Sequence, residues 1–196
     1  MTVVKKRGRV PKLDDTDLRI LDMLYDDGRK SLVSIAEAVG LTHPSVKERL
    51  KRLIRSKLIK IQANINLSKL NLITSMISAD ISDPDELEEL IENLKTCPRV
   101  ISIMYSTGEY NIVLIILASD EKSVRAFVDR NIRTIKSLKK LYIANIDIIC
   151  PKFIPIKLLP PEECYEKCKN CIFKTKLKIC DGCEGLIEII RAIKLR

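Results

Sequence analysis

The chain has 196 residues, 46% of them hydrophobic but only 4% aromatic, which suits two modest domains with aliphatic cores plus an appendage. No apolar run approaches the roughly 20 residues needed to cross a bilayer, and residues 1–12 offer no signal-like apolar stretch, so a cytoplasmic protein without membrane contact is expected. The net charge of +9 is concentrated: residues 1–60 carry 15 Lys/Arg against 8 Asp/Glu, residues 61–159 carry 12 of each, and residues 160–196 carry 8 against 6. A polyanionic partner is therefore expected at the N-terminal third, and a uniformly adhesive surface is excluded.

Residues 1–12 read as a flexible basic arm, with Lys5, Lys6, Arg7 and Arg9 around Gly8. A phosphate-binding tail fits this run better than a minor-groove hook, whose core is interrupted here. A compact domain follows over residues 13–66. Asp14 is placed to cap a first helix, with Asp17 in its positive first turn and an apolar stripe of Leu18, Leu21 and Leu24 widened by Ile20 and Tyr25. Gly28 is suited to a left-handed end for that helix. Ser31 caps a short second helix with inner face Leu32, Ile35, Ala36 and Val39, and Gly40-Leu41 makes the turn. Thr42 opens a third helix with Pro44 in its first turn, where its missing amide costs nothing. A Gly-closed short helix followed directly by a capped third helix is helix-turn-helix spacing. The third helix buries Val46, Leu50 and Leu53 and turns Pro44, Ser45, Glu48, Lys51, Arg52 and Arg55 outward, flanked by Lys47 and Arg49. Its early residues are expected at base edges in a major groove and its later cations at phosphates. Ser31, His43, Ser45, Lys47, Glu48, Lys51, Arg52 and Arg55 are the candidate DNA contacts. Ser56 to Ile65 reads as a short β-element, a small wing or link.

Leu13-Asp14 with Asp17, Ile20-Leu21, Asp27-Gly28-Arg29, Ile35-Ala36, Val39-Gly40-Leu41-Thr42, Val46, Arg49-Leu50 and Leu58-Ile59 together resemble the Lrp/AsnC (feast/famine) transcriptional regulators, in order and without gaps over about 50 residues. The resemblance implies that the third helix is the recognition helix.

A second domain is expected over residues 71–152. Asn71 to Ile81 alternates as a strand, and Asp83-Pro84-Asp85-Glu86 starts a helix with apolar face Leu87, Leu90, Ile91 and Leu94. Strands at Val100–Ser106 and Tyr110–Ala118 flank a Thr107-Gly108-Glu109 hairpin, and the second, almost continuously apolar, is expected to be central. Asp120 caps a helix facing inward with Val124, Phe127, Val128 and Ile132, and a last strand covers about Leu141 to Cys150. The order β-α-β-β-α-β is a ferredoxin-like split unit. It is also the order of the Lrp/AsnC effector domain, and residues 107–111 resemble its signature hairpin, which makes Gly108, Tyr110 and Asn111 candidate contacts for a small-molecule effector. The family commonly has Asp where this chain has Asn111, so an amino-acid ligand would lack that carboxylate here. A purely conformational role for Gly108 is the competing reading. The resemblance further implies a homodimer, or a higher oligomer, set on a pseudo-palindromic duplex with half-sites about one turn apart.

Residues 160–196 hold five of the seven cysteines, spaced Cys164-x3-Cys168-x2-Cys171-x8-Cys180-x2-Cys183. Two CxxC pairs supply four thiolates for a tetrahedral soft-metal site, with Cys164 as a fifth candidate ligand. Asn170 and Gly182 favour knuckle turns, and the eight residues between the pairs suffice for a short hairpin. Leu186, Ile187, Ile189, Ile190 and Ile193 then form an apolar helix face. So small a segment has little core of its own, so metal would supply much of its stability. Structural zinc is the first expectation, with Cu(I) or an iron–sulfur group open and disulfides the competing chemistry. The tail resembles a shortened TRASH metal-sensing domain, which implies a sensor, while a protein-interaction module is a further reading. Cys97 and Cys150, isolated in apolar sequence, are expected to be buried hydrophobes.

The expected architecture is α+β: an N-terminal winged helix-turn-helix, a ferredoxin-like domain and a small Cys-rich metal-binding module. One enzyme class, the sirohaem decarboxylases, resembles Lrp/AsnC proteins in both domains, but its haem chemistry uses histidine. The only histidine here is His43, at the start of the expected recognition helix. No nucleophilic triad, phosphate-binding Gly loop or carboxylate pair is evident, so no catalytic residues are assigned.

Overall fold

The computed structural model describes residues 12–180 and 182–192. The expected basic arm up to residue 11, and Ile193 of the last apolar face, lie outside the described residues. Two compact units meet between Gln62 and Ala63.

In the first unit, local chemistry sets each helix boundary. Asp14 caps α1 (Asp15–Asp26) through a capping box with Asp17. Ser31 accepts from the Ser34 amide to start α2 (Leu32–Val39), and Gly40 ends it at φ +69°. Thr42 caps α3 (His43–Arg55), with Pro44 in the first turn. Ile20, Ile35, Ala36, Val46 and Leu50 form the core. The expected stripe of α1 is rotated: Ile20 is fully buried, whereas Leu18 and Tyr25 face solvent. The cause is Asp17. Its carboxylate is completely buried and takes two guanidiniums from α3, Arg49 at 2.8 Å and Arg52 at 2.5 Å, so the inward face of α1 runs through residue 17. Arg49 also reaches Asp14 at 2.6 Å. The Asp17 amide, then Arg49, hold the Asp14 carboxyl below its ordinary range. That contribution is present above the ordinary carboxylate pKa and fades as pH falls through the lowered folded value. Gly28 is not left-handed as expected; Asp27, extended, is the C-cap of α1.

In the second unit, the segment after α3 is strand only at β1 (Ile65–Asn66), which pairs antiparallel with β6 (Phe153–Ile154). Between them lies β2 (Ile73–Ile81), α4 (Pro84–Leu94), β3 (Val100–Tyr105), β4 (Ile112–Ala118), α5 (Glu121–Asn131) and β5 (Leu138–Asn145). The antiparallel sheet has the order β3-β4-β2-β5, the ferredoxin-like arrangement, with the apolar β4 central as expected. Asp83 and Asp120 cap α4 and α5. Both helices pack on one face of the sheet, closing a core of Ile77, Ile81, Leu90, Leu94, Ile112, Leu114, Ile116 and Phe127. The last strand is displaced from its expected span because β2 sets its length: Leu138 pairs with Ile81 and Asn145 with Ser75. Ile149 and Cys150 consequently lie exposed, which corrects the expectation that Cys150 is a core residue.

The tail belongs to this second unit. It forms α6 (Glu162–Lys169), α7 (Ile172–Thr175) and α8 (Gly182–Arg191), so a short helix replaces the expected hairpin between the CxxC pairs. Leu186 and Ile190 of α8 pack on Leu67, Leu70 and Leu117. Gly182 sits at φ +69°, the left-handed region that favours glycine.

Removing one partner of a buried ion pair typically costs about 3–5 kcal/mol. The double variant Arg49→Ala/Arg52→Ala, which strands the Asp17 carboxylate, is expected to lose about that amount. Asp17→Ala is expected to cost less, about 2 kcal/mol, because the orphaned guanidiniums can reach water. Urea unfolding of the helix-turn-helix unit measures both, and wild-type stability in both variants would remove Asp17 as the anchor.

Candidate nucleic-acid interface and thiol cavity

The outer face of α3 presents Ser45, Lys47, Glu48, Lys51 and Arg55 to solvent, with His43 and Pro44 at its N-terminal end. Helix periodicity separates this face from the buried Val46, Leu50 and Leu53. These exposed groups are not equally available. The Ser45 hydroxyl lies 2.9 Å from that of Thr42, and Arg55 pairs with Glu48 at 2.9 Å across the surface. Lys47 and Lys51 have no ion pair among the described residues. Arg52 corrects the expectation of a forward-facing cation: its guanidinium turns back to the buried Asp17. It thus positions α3 on α1. Ser31 is exposed at the start of α2, where its hydroxyl serves the Ser34 amide.

The hairpin residues are separated by role. Gly108 adopts no left-handed conformation, and an added Cβ would meet only Ser106 Oγ at 3.8 Å, so neither turn geometry nor space demands glycine there. Tyr110 rests against Tyr142, ring centroids 6.4 Å apart. Asn111 uses both ends of its amide on one residue: Nδ2 donates to the Ile81 carbonyl at 2.6 Å and Oδ1 accepts from the Ile81 amide at 3.1 Å. The side chain thereby extends the β2–β4 ladder past its last backbone pair. A carboxylate could accept from the amide but would set its second oxygen against the Ile81 carbonyl. That is a physical reason for asparagine here.

A cavity of about 380 Å³ lies in the second unit between the helical face of the ferredoxin-like domain and the tail. Six cysteines line it: Cys97, Cys164, Cys168, Cys171, Cys180 and Cys183. Cys164 and Cys168, one turn apart on α6, and Cys183 in the first turn of α8 hold their sulfurs within 4.8 Å of one another. Cys164 and Cys183 are 3.6 Å apart. Cys171 and Cys180 flank α7. Cys180 accepts from the Gly182 amide and from Arg99 Nη1, both at 3.4 Å.

Cys97 is the residue that sequence reasoning missed. It sits in the turn between α4 and β3, half-buried against the domain core in keeping with the expected hydrophobe, and it also lines the cavity that holds the tail thiols. Hydrogen bonds from Cys164 and then Cys183, with the Arg99 amide adding to them, hold the Cys97 thiol well below its ordinary pKa. The Cys183 thiol is pushed up, first by Cys164 and then by Cys168 and Cys97. Two cations border these thiols. Arg99, 5% exposed, donates to the Leu117 and Ser123 carbonyls at 3.2 Å and lies over the Phe127 ring. Arg130 donates to Cys168 Sγ at 3.7 Å; burial works against its charge, but the Cys171 and Cys168 sulfurs outweigh it. Several closely set sulfurs with bordering cations suit a soft metal ion.

Two family models match the chain, one for winged helix-turn-helix DNA-binding over residues 13–60 and one for the Lrp/AsnC ligand binding domain over residues 74–144. Among curated relatives, an HTH-type transcriptional regulator of Methanocaldococcus jannaschii is 31% identical over 121 residues, covering 61% of this chain and 82% of that one. The regulator LrpA of Pyrococcus horikoshii is 28% identical over 147 residues, covering 74% and 99%. Among solved structures, a Neisseria meningitidis transcriptional regulator in complex with L-Met aligns with TM-score 0.64 at 23% identity, covering 78% and 99%. LrpC of B. subtilis aligns at 0.59 and 23%, covering 71% and 99%. At those identities the likeness shows the fold alone. Neither family model reaches the cysteine-rich tail.

Replacing Asn111 by Asp is expected to destabilise the second unit by about 1–2 kcal/mol, through a lost donor and a carboxylate facing a carbonyl. Thermal unfolding measures it. An unchanged or raised melting temperature would mean that the amide clamp contributes nothing.

Proposed function

The chain belongs to the Lrp/AsnC family of DNA-binding transcriptional regulators and is not an enzyme, and on that premise we propose that it grips promoter DNA as a homodimer and answers to a soft metal ion held by its cysteine-rich tail. The observation that carries the DNA-binding half is the exposed face of α3. Lys47 and Lys51 stand there without an ion pair among the described residues, while Arg49 and Arg52 lock the helix from behind. Ser45 and Glu48, with His43 at the helix start, lie toward the end that enters a major groove first, where base edges are read. Lys51 and Arg55 lie toward the phosphates, and Ser31 at the start of α2 offers a further backbone contact. Two such helices in a dimer match half-sites about one helical turn apart.

The signal follows from the contrast between hairpin and tail. One structural neighbour was solved with L-Met. In this chain Asn111 is committed to the Ile81 backbone, and no carboxylate stands there to meet an amino group. Gly108 and Tyr110 remain available to a small effector, but the concentration of sulfurs lies in the tail cavity. Zinc is the first candidate and Cu(I) the second, since both accept thiolate ligands. No helix among the described residues is long and apolar enough to cross a membrane. A cytoplasmic setting supplies both the DNA and the reduced thiols that this reading requires.

The test is fluorescence anisotropy on a duplex recovered by selection from randomised DNA, with the full chain at several salt concentrations. Lys47→Ala and Lys51→Ala are each expected to weaken binding, by about 1–3 kcal/mol where the side chain reads a base, or with a salt slope lower by about 1 where it meets a phosphate. Affinity retained in both variants would mean that another surface binds DNA. Sedimentation of the free protein checks the dimer.

A further inference from the structure

The tail's two CxxC pairs lead one to expect a metal held by Cys168, Cys171, Cys180 and Cys183, a site closed within the tail. The fold brings together a different set. Cys164, Cys168 and Cys183 cluster with sulfurs within 4.8 Å of one another, and Cys97, from the turn between α4 and β3, lines the same cavity beside them. Cys180 is turned to the Arg99 guanidinium and the Gly182 amide.

We propose that Cys97, Cys164, Cys168 and Cys183 form one four-thiolate site for a soft divalent ion, zinc in the first instance, which fastens the tail to the ferredoxin-like domain. The proposal rests on the metal reading above and changes which residues hold the ion and what the ion joins. Tetrahedral ligation with Zn–S bonds of about 2.3 Å sets neighbouring sulfurs about 3.8 Å apart. The Cys164–Cys183 separation of 3.6 Å already meets that spacing, the widest separations among the three tail sulfurs, up to 4.8 Å, must close by about 1 Å, and Cys97 must move in from the wall of the same cavity. Surrounding donors suit an anionic site. The buried Arg99 borders the cavity, and Arg130 Nη1 approaches Cys168 Sγ at 3.7 Å. Such neighbours orient thiolate ligands and offset the charge that four of them leave on a divalent ion.

Placement gives the site a consequence. Cys183 is the second residue of α8, and Leu186 and Ile190 of the same helix pack on Leu67 and Leu70, in the segment that leads from the helix-turn-helix unit into β2. An ion shared between Cys97 and Cys183 fixes the start of α8, and with it the apolar seat of that connecting segment. Removing the ion frees the tail from the domain and loosens the seat.

The experiment uses the full chain, loaded with one equivalent of zinc or stripped with chelator, alkylated with iodoacetamide and mapped by peptide mass spectrometry. Zinc is expected to slow alkylation of Cys97, Cys164, Cys168 and Cys183 together, leaving Cys171 and Cys180 at their metal-free rates. In competition with a chromophoric chelator, Cys97→Ser is expected to lose more zinc affinity than the about 10–100-fold that a mere neighbour of a ligand costs. The double variant Cys171→Ser/Cys180→Ser is expected to keep its affinity. Far-UV circular dichroism of the metal-free proteins confirms that the variants fold, and the alkylation map needs no variant. Zinc protection of Cys171 and Cys180 without Cys97 would return the site to the tail and overturn the proposal while leaving the metal reading intact. No retained zinc and no protected cysteine would overturn both.

Discussion

Arg99 carries its charge into an interior where it is 5% exposed, and an unpaired ion there would cost several kcal/mol. The surroundings answer that cost from four sides. The β4 carbonyl of Leu117, the α5 carbonyl of Ser123, the Phe127 ring and Cys180 Sγ all converge on one guanidinium. One side chain thus ties the sheet, the second domain helix and the tail. Among the described residues its hydrogen-bond partners are carbonyls and a sulfur, with no carboxylate. A thiolate is the acceptor that would balance it, so the cation and the cluster of thiols support one another. The cavity therefore differs in kind from an apolar pocket awaiting a small molecule.

The helix-turn-helix solves the opposite problem with the same chemistry. There the buried ion is an anion, Asp17, and the cations come from the recognition helix. The arrangement divides the cationic face of α3 between two tasks. Arg49 and Arg52 fix the angle of the helix against α1, while Lys47 and Lys51 remain at the surface. Loss of DNA binding on mutating Arg52 would therefore report the position of the helix as much as any contact to DNA. Stability measured alongside affinity separates the two.

What was legible in the sequence was local. Asp14, Ser31, Thr42, Asp83 and Asp120 cap the helices they were expected to cap, because a capping side chain and the amide it serves lie within three residues. The strand order followed from β4, whose apolar run has to be covered on both edges. What was not legible depends on partners distant in the chain. Leu18 looks apolar and is exposed because Asp17 takes the inward position, and Asp17 does so only once two arginines more than 30 residues away arrive. Likewise the last strand spans Leu138–Asn145, where it runs beside Ile81 to Ser75 of β2, and ends there although the apolar run continues.

Cys97 is the strongest case of this kind. A single cysteine in a Thr-Cys-Pro turn carries no spacing signal, and the thiols that share its cavity stand 67 to 86 positions further along the chain. The CxxC pairs draw attention to ligands that are close in sequence, but α7 separates Cys171 from Cys180, and Arg99 draws Cys180 to itself. The fold then selects by distance in space: two thiols on one face of α6, one at the start of α8 and one from the turn below them. A site assembled across two segments differs from one closed within a tail, because its occupancy changes a contact between them. In the proposed site the tail is no self-contained zinc module, since one of its ligands comes from the domain. Metal and fold would then be linked through Cys97, and through α8 that linkage would reach the residues that lead out of the helix-turn-helix.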